Sequence, residues 1–144
     1  MKFRYLKLRI PPQPAFPERT QLLRPIIPVT LKYGGNSRRV NALIDSGADM
    51  CLFDKSVGEA LGINIESGIR QVSSGIEAGE VETYYHDIKI EIGGWSYDAR
   101  AGFLVPADPN RRLGYGILGH NPIFEKYKIT FDLSKQEIEF KAIK

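Results

Sequence analysis

The chain has few of the residues that build disulfide-held or metal-held folds. Its 144 residues include one cysteine, Cys51, and two histidines, His86 and His120. A single cysteine forms no disulfide within the chain, and neither histidine stands at metal-ligand spacing from it. We therefore expect no structural metal and no cofactor. The scarcity of cysteine also favours a reducing compartment, so we expect a cytoplasmic protein.

Long hydrophobic runs are missing as well. The apolar pairs Leu22-Leu23 and Ile26-Ile27 are separated by Arg24 and Pro25, which leaves them well short of the roughly 18 residues of a membrane span. Charged residues interrupt the first ten positions, so no signal-peptide core is evident there. We expect no membrane partner.

A strong excess of one charge is also absent. Twenty Lys and Arg stand against 17 Asp and Glu, a formal net charge of +3, which is far from that of a dedicated nucleic-acid binder. We expect no nucleic-acid partner. A chain of this length with 42% hydrophobic residues has room for one globular domain with a buried core.

The first 24 residues differ in pattern from the rest. Residues 2–10 alternate charged and apolar side chains, which predicts a half-exposed strand. Four prolines between 11 and 17 deny the next segment ladder hydrogen bonds, so residues 11–24 are predicted to be a linker or surface arm. The predicted organisation is an N-terminal strand and proline-rich arm over 1–24, followed by one domain over 25–144.

Two similar strand pairs follow in the predicted domain. Alternating apolar residues over 27–33 lead to Gly34-Gly35 and a return strand ending at Ile44, and the same order recurs around Gly93-Gly94. An offset of 59 residues aligns the two glycine pairs. The pattern predicts an internally duplicated hairpin unit.

Each predicted hairpin leads through a glycine-containing turn to a short helix. The first helix is predicted over Asp54–Leu61 with Asp54 or Ser56 as N-cap and Gly62 as its stop. The second begins with Asn121 as N-cap and Pro122 as its first residue. A last hairpin is expected from 128–132 and 137–140. The fold class predicted from the residues is all-β with two short helices.

A carboxylate at the end of an apolar strand is the main chemical signal. Asp45 follows Leu43-Ile44, where a buried acid is costly unless it is hydrogen-bonded or protonated. Ser46 can anchor the turn, Gly47 permits close backbone approach, and Ala48 leaves space for a ligand. An ordinary Asx turn explains the same residues. At the offset of 59 the second half has Leu104 in place of Asp45.

The segment Leu43-Ile44-Asp45-Ser46-Gly47-Ala48-Asp49 resembles the active-site signature of the retropepsin-like, or retroviral-type, aspartic proteases. Ile117-Leu118-Gly119-His120-Asn121 is similar to a second landmark of that family, and residues 73–79 resemble its flap. The resemblance covers about residues 25–140. It implies a closed β-barrel of the acid-protease type and the activity of an aspartic endopeptidase.

What the resemblance implies for the site begins with a pair of aspartates that share one proton. One chain supplies only Asp45, so a homodimer is implied, in which Ser46 bonds across the interface and Gly47 supports the active site. Ala48 and Asp49 would bind an extended peptide or protein substrate. The flap residues that would close over it are Ser74, Gly75, Ile76, Glu77, Ala78 and Gly79.

Some features remain open or depart from the family pattern. His120 stands where viral members have arginine; it is expected as a partly exposed residue at the helix start, with a titrating partner of Asp49 as the alternative. Some terminal strands are expected at the dimer interface. The rival functions are a non-catalytic peptide-binding dimer and a carboxylate metal site formed by Asp45 and Asp49.

Overall fold

The computed structural model describes residues 1–75, 79–110 and 112–144, with side chains omitted at 73–75 and 79–80. Within these residues the chain forms twelve strands, two short α-helices and a single 3₁₀ turn at Ile65–Ser67. The elements in chain order are β1 (Lys2–Arg4), β2 (Leu6–Arg9), β3 (Gln21–Arg24), β4 (Ile26–Tyr33), β5 (Asn36–Ile44), β6 (Leu52–Asp54), α1 (Lys55–Ala60), β7 (Ile69–Gly75), β8 (Gly79–Ile92), β9 (Trp95–Val105), β10 (Gly116–Leu118), α2 (Ile123–Lys126), β11 (Tyr127–Asp132) and β12 (Glu137–Ala142).

Six strands close into a barrel in the order β4, β5, β10, β6, β9, β8. The ring closes because residues 89–91 of β8 pair with residues 30–32 of β4. The earlier part of β8 pairs with β7 instead, so that β7 and residues 79–85 form a hairpin beside the barrel. The predicted all-β fold and closed barrel are confirmed.

Both hairpins predicted from the glycine pairs are present with the same geometry. Gly34 and Gly35 have φ of +53° and +85°, and Gly93 and Gly94 have φ of +56° and +88°. Two consecutive positive φ angles make the two-residue turn that matches the twist of the flanking strands, and glycine adopts them without a steric penalty.

The core lies inside the barrel and follows the period-two pattern of the strands. Alternate apolar side chains of β4, β5, β8 and β9 are buried, while their sequence neighbours face outward. The buried members of these strands include Ile27, Val29, Leu31, Ala42, Ile44, Ile88, Ile90, Ile92, Ala99, Ala101 and Phe103.

The two helices are short, as predicted, and the first is capped as expected. The Asp54 side chain accepts a hydrogen bond from the Ser56 amide at the start of α1, and Gly62 follows the helix with φ of +84°. The second helix differs by one residue, because Pro122 is its N-cap. Asn121 does not cap it; its side-chain amide donates instead to the Glu125 carboxylate at 3.2 Å.

The N-terminal segment is more ordered than its prolines suggest. β1 pairs with β12, which also pairs with β11 in the predicted C-terminal hairpin. β2 pairs with β3. Residues 21–24, which were predicted to lie in a linker or surface arm, form strand β3, where Leu22 has a cross-strand partner in Leu8.

Candidate active site

Asp45 is the first residue after strand β5, at the end of the barrel where β10 lies beside it. Leu118 of β10 stands opposite Ile44 in a parallel pair. The Asp45 amide donates to the Leu118 carbonyl oxygen at 3.0 Å. The backbone of the aspartate is thus held by an inner strand of the barrel.

The side chain of Asp45 closes an Asx turn. Its Oδ1 accepts a hydrogen bond from the Gly47 amide at 2.9 Å, and its backbone carbonyl accepts one from the Ala48 amide at 3.2 Å. No described residue of the same chain donates to Oδ2. The turn orients the carboxylate and leaves one oxygen for another partner.

The segment after the turn, Ala48–Met50, runs against the residues that follow β10. The His120 amide donates to the Ala48 carbonyl at 2.8 Å, and the Asn121 amide donates to the Asp49 carbonyl at 3.0 Å. A Cβ at Gly119 would collide with the Met50 carbonyl oxygen and lie 2.7 Å from that of Ala48. The close approach of the two segments therefore requires glycine at 119.

Cys51 lies directly behind this loop and belongs to the core. Its side chain is completely buried, and its carbonyl accepts a hydrogen bond from the Gly102 amide at 2.9 Å. Burial raises the pKa of the thiol to about 11, against a smaller opposing effect of the Gly119 amide. The thiol is protonated at neutral pH and is not a nucleophile.

The Asp45 turn is accessible to solvent in the single chain. Ser46, Gly47 and Asp49 are exposed, and Asp45 and Ala48 are half-buried. Among the described residues, no second carboxylate joins Asp45 in a hydrogen-bonded pair. One chain thus contains an ordered turn with one acid.

The predicted flap coincides in part with the hairpin of β7 and β8. Ser74 pairs with Glu80, and Gly75 pairs with Gly79. Ile76, Glu77 and Ala78 lie outside the described residues. The described residues of the predicted flap, Ser74, Gly75 and Gly79, thus lie at paired ends of β7 and β8.

His120 makes a contact that sequence reasoning missed. Its Nε2 donates to the Ser46 carbonyl oxygen, and its ring stands edge-on to Phe124 with centroids 5.6 Å apart. The side chain is exposed, as expected. Its hydrogen-bond partner is the backbone of the Asp45 turn and not Asp49, a contact between residues 74 positions apart that no local spacing reveals.

Asp54 is a second acid that sequence reasoning treated only as a helix cap. The residue is 7% exposed. Oδ2 accepts from the Ser56 amide at 3.0 Å and hydroxyl at 2.5 Å, while Oδ1 accepts from the Leu113 amide at 3.1 Å. It ties the segment leading into β10 to the start of α1.

Two further features of the described part of the chain concern metals and membranes. No group of three or more His, Cys, Asp or Glu side chains is arranged there to hold a metal ion. Neither helix there has the length and apolar character needed to cross a bilayer.

A closed six-stranded barrel, with an Asp-Ser-Gly turn at the end of one strand and an Ile-Leu-Gly strand beside it, defines the retropepsin-like class of aspartic proteases. The family model described as aspartyl protease matches residues 27–121. The chain belongs to this aspartyl protease family.

Two solved structures have similar folds. A retropepsin-like aspartic protease from Rickettsia conorii superposes with a TM-score of 0.58 at 14% identity, covering 78% of this chain and 88% of that one. The retroviral protease-like domain of Ddi1 from Leishmania major gives 0.55 at 16% identity, covering 82% and 90%. A search of curated proteins found no match.

Proposed function

We propose that the protein is an aspartic endopeptidase that works as a homodimer, with the Asp45 carboxylates of two copies adjacent on a two-fold axis. The observation that carries the proposal is a single ordered Asp-Ser-Gly turn per chain, with one Asp45 oxygen held by the Gly47 amide. The aligned residue of the second hairpin unit is Leu104. The second carboxylate therefore has to come from another copy.

The chemistry follows from two carboxyl groups at close range. Two carboxylates about 3 Å apart cannot both ionise cheaply, so the pair shares one proton and titrates as a unit. The ionised aspartate takes a proton from a bridging water as that water attacks the scissile carbonyl carbon. The protonated aspartate donates to the carbonyl oxygen, which gives a tetrahedral diol. The proton taken from water then passes to the amide nitrogen as the C–N bond breaks, and a hydroxyl of the diol returns a proton to the other aspartate. The products are a carboxylic acid, an amine and a dyad that again holds one proton.

The neighbouring residues have roles in the same proposal. Exposed Ser46 bonds across the dimer interface, and Gly47 lets the two turns approach. Ala48 and Asp49 bind the peptide backbone. Asp49 is exposed in the single chain, so its side chain is accessible to a peptide. The proposed flap over the bound peptide consists of Ser74, Gly75, Ile76, Glu77, Ala78 and Gly79.

The substrate in this proposal is an extended peptide or an unfolded segment of a protein. An extended chain can pair with strand-like backbone at the barrel end, with alternate side chains in pockets. Closure of the flap would exclude bulk water and donate backbone N–H groups to the peptide. A cytoplasmic location belongs to the same proposal and is supported by the single, buried cysteine.

A peptide-library digest tests the activity. Wild-type protein is expected to cleave peptides best at mildly acidic pH, to keep its activity in EDTA and to be inhibited by statine-type compounds. Asp45→Asn is expected to lose at least about a hundredfold in kcat/KM, because it removes the acid and base of the reaction.

The control for this test is Asp98→Asn, which changes an aspartate whose side chain is 87% exposed in an ion pair with Lys89. It should cleave like the wild type. Equal digests from wild type and Asp45→Asn would overturn the enzyme proposal. A dimer that binds peptides without cleaving them would support the alternative of a non-catalytic peptide-binding module. Loss of activity in EDTA would support the alternative of a metal site.

A further inference from the structure

Residues 6–24, called here the arm hairpin, stand apart from the barrel. Strands β2 and β3 within it pair only with each other among the described strands. None of its side chains belongs to the hydrophobic core cluster of the described residues. A two-stranded hairpin with no further partner is at best marginally stable in water. Packing against another surface would therefore stabilise the arm hairpin.

The arm hairpin has one mainly apolar face. Leu8 stands directly opposite Leu22, and Leu6 lies two residues before Leu8 on the same face. Leu8 remains 36% exposed. Arg24, which pairs with Leu6, shares this face, while Lys7, Arg9, Gln21 and Leu23 lie on the other. The arm hairpin therefore resembles half of a packed interface, mainly apolar on one side and mainly polar on the other.

Both ends of the arm hairpin are held by backbone hydrogen bonds to other parts of the chain. The Pro25 carbonyl, directly after β3, accepts a hydrogen bond from the Ile44 amide at 2.9 Å. Ile44 precedes Asp45. At the other end, the Tyr5 amide donates to the Gln136 carbonyl at 3.1 Å. The arm hairpin thus leaves the domain between the Asp45 turn and the turn of the C-terminal hairpin.

The arm hairpin carries the net charge of the chain. Residues 6–24 contain four basic residues and one acid, a net charge of +3. Residues 25–144 have a net charge of −2, and Lys2 and Arg4, which join them through the pairing of β1 with β12, bring the rest of the chain to zero. The body of a second copy therefore presents no net charge that would repel the arm hairpin.

We propose that the arm hairpin of each copy packs with its apolar face on the barrel of the other copy, in the homodimer on which this inference rests. The arm hairpin ends at Pro25, which is hydrogen-bonded to Ile44 beside Asp45. When the Asp45 turns of two copies meet, this end of each arm hairpin lies next to the partner copy. A stable interface buries about 800 Å² per partner. The exchanged arms, reaching roughly 30 Å if fully extended, add area symmetrically to that of the turns and of the terminal strands expected at the interface.

Dimer dissociation measured by sedimentation tests this packing. Leu8→Asp is expected to raise the dissociation constant at least about tenfold, because it places a charge in the packed face. Tyr33→Asp is the matched control, since Tyr33 is 38% exposed and lies at the glycine turn, at the opposite end of β5 from Asp45. It should change the constant by less than about twofold.

Hydrogen exchange gives a readout that does not depend on activity. Amides of residues 6–24 are expected to exchange more slowly above the dimer dissociation constant than below it, while those of residues 34–35 stay unchanged. Far-UV circular dichroism of both variants checks that the fold is retained.

The outcomes separate this inference from the proposed function. A dimer that is unaffected by Leu8→Asp, with no change in arm exchange, overturns the arm packing alone. If Leu8→Asp weakens the dimer and the wild-type protein cleaves no peptide, the arm packing is supported and the proposed endopeptidase activity is overturned. A wild-type protein that stays monomeric at every concentration overturns both.

Discussion

Asp45 and Asp54 both follow short apolar stretches, yet their surroundings give them different uses. Asp45 is half-buried and holds one backbone amide, so its carboxylate remains available for chemistry. Asp54 is nearly buried and accepts hydrogen bonds from Ser56 and Leu113. Burial by itself would raise the pKa of Asp54, but the Ser56 and Leu113 donors and the charge of Arg112 together lower it. Asp54 is an ionised structural anchor.

Asp54→Asn should lower the free energy of unfolding at pH 7 by about 2 kcal/mol, because it weakens charge-assisted hydrogen bonds to a buried acceptor. The folded pKa lies below the unfolded value of about 3.9. The stabilisation is therefore fully present above that value and is lost as pH falls through the folded pKa. Urea denaturation of both proteins at a series of pH values measures the difference.

The control for this measurement is Asp98→Asn, since Asp98 forms an exposed ion pair. It should leave the free energy of unfolding nearly unchanged. A difference between wild type and Asp54→Asn that stays constant from pH 7 to below pH 3 would contradict the role of the Asp54 charge.

Strand β10 is the element that assembles the candidate site. Its three residues lie between β5, which they meet in parallel, and β6, which they meet in antiparallel. The similarity of the Ile-Leu-Gly motif to a family landmark predicted that this segment belongs to the candidate site. It did not indicate that β10 would support the Asp45 amide or that Gly119 would face the carbonyls of Ala48 and Met50.

Gly119→Ala should push the segment after β10 away from the Asp45 turn, because the added Cβ meets backbone atoms that cannot rotate aside. We expect a loss of about 1–3 kcal/mol in the free energy of unfolding, together with reduced peptide cleavage. Gly114→Ala is the control, since a Cβ there lies more than 4 Å from every described residue other than its chain neighbours. If the two variants are equally stable in urea, the close approach at Gly119 is not a constraint.

At the scale of the whole molecule, barrel closure removes most strand edges that could pair between copies. Among the described residues, the strand pairs outside the barrel are the arm hairpin, the β7–β8 hairpin and the sheet of β1, β12 and β11. The arm hairpin and this sheet adjoin at the Tyr5–Gln136 hydrogen bond. The expectation that terminal strands lie at the dimer interface stays a prediction and agrees with this arrangement.

If each active site needs Asp45 from both copies, a dimer of one wild-type and one Asp45→Asn chain should be inactive. When wild type is mixed and re-equilibrated with a ninefold excess of Asp45→Asn, random pairing leaves about one tenth of wild-type chains in fully active dimers. Activity per wild-type chain should fall to about one tenth. The measurement is the cleavage rate of a fluorogenic peptide at fixed wild-type concentration, with Asp98→Asn as the added chain in the control. An unchanged rate with excess Asp45→Asn would mean that each chain acts alone.

Local sequence signals predicted several features of this protein. Alternating apolar residues and glycine pairs predicted the hairpins, while the capping residues and Gly62 predicted the first helix. The Asp-Ser-Gly segment predicted the residue on which the proposed chemistry depends. Each of these signals acts within a few residues. Four other features became known from the folded chain: β10 inserts between β5 and β6, His120 binds the Ser46 carbonyl, Asp54 binds the Leu113 amide, and residues 21–24 form a strand. These contacts join positions 12 to 74 residues apart, and their partners are selected by barrel closure and burial, which no local pattern encodes.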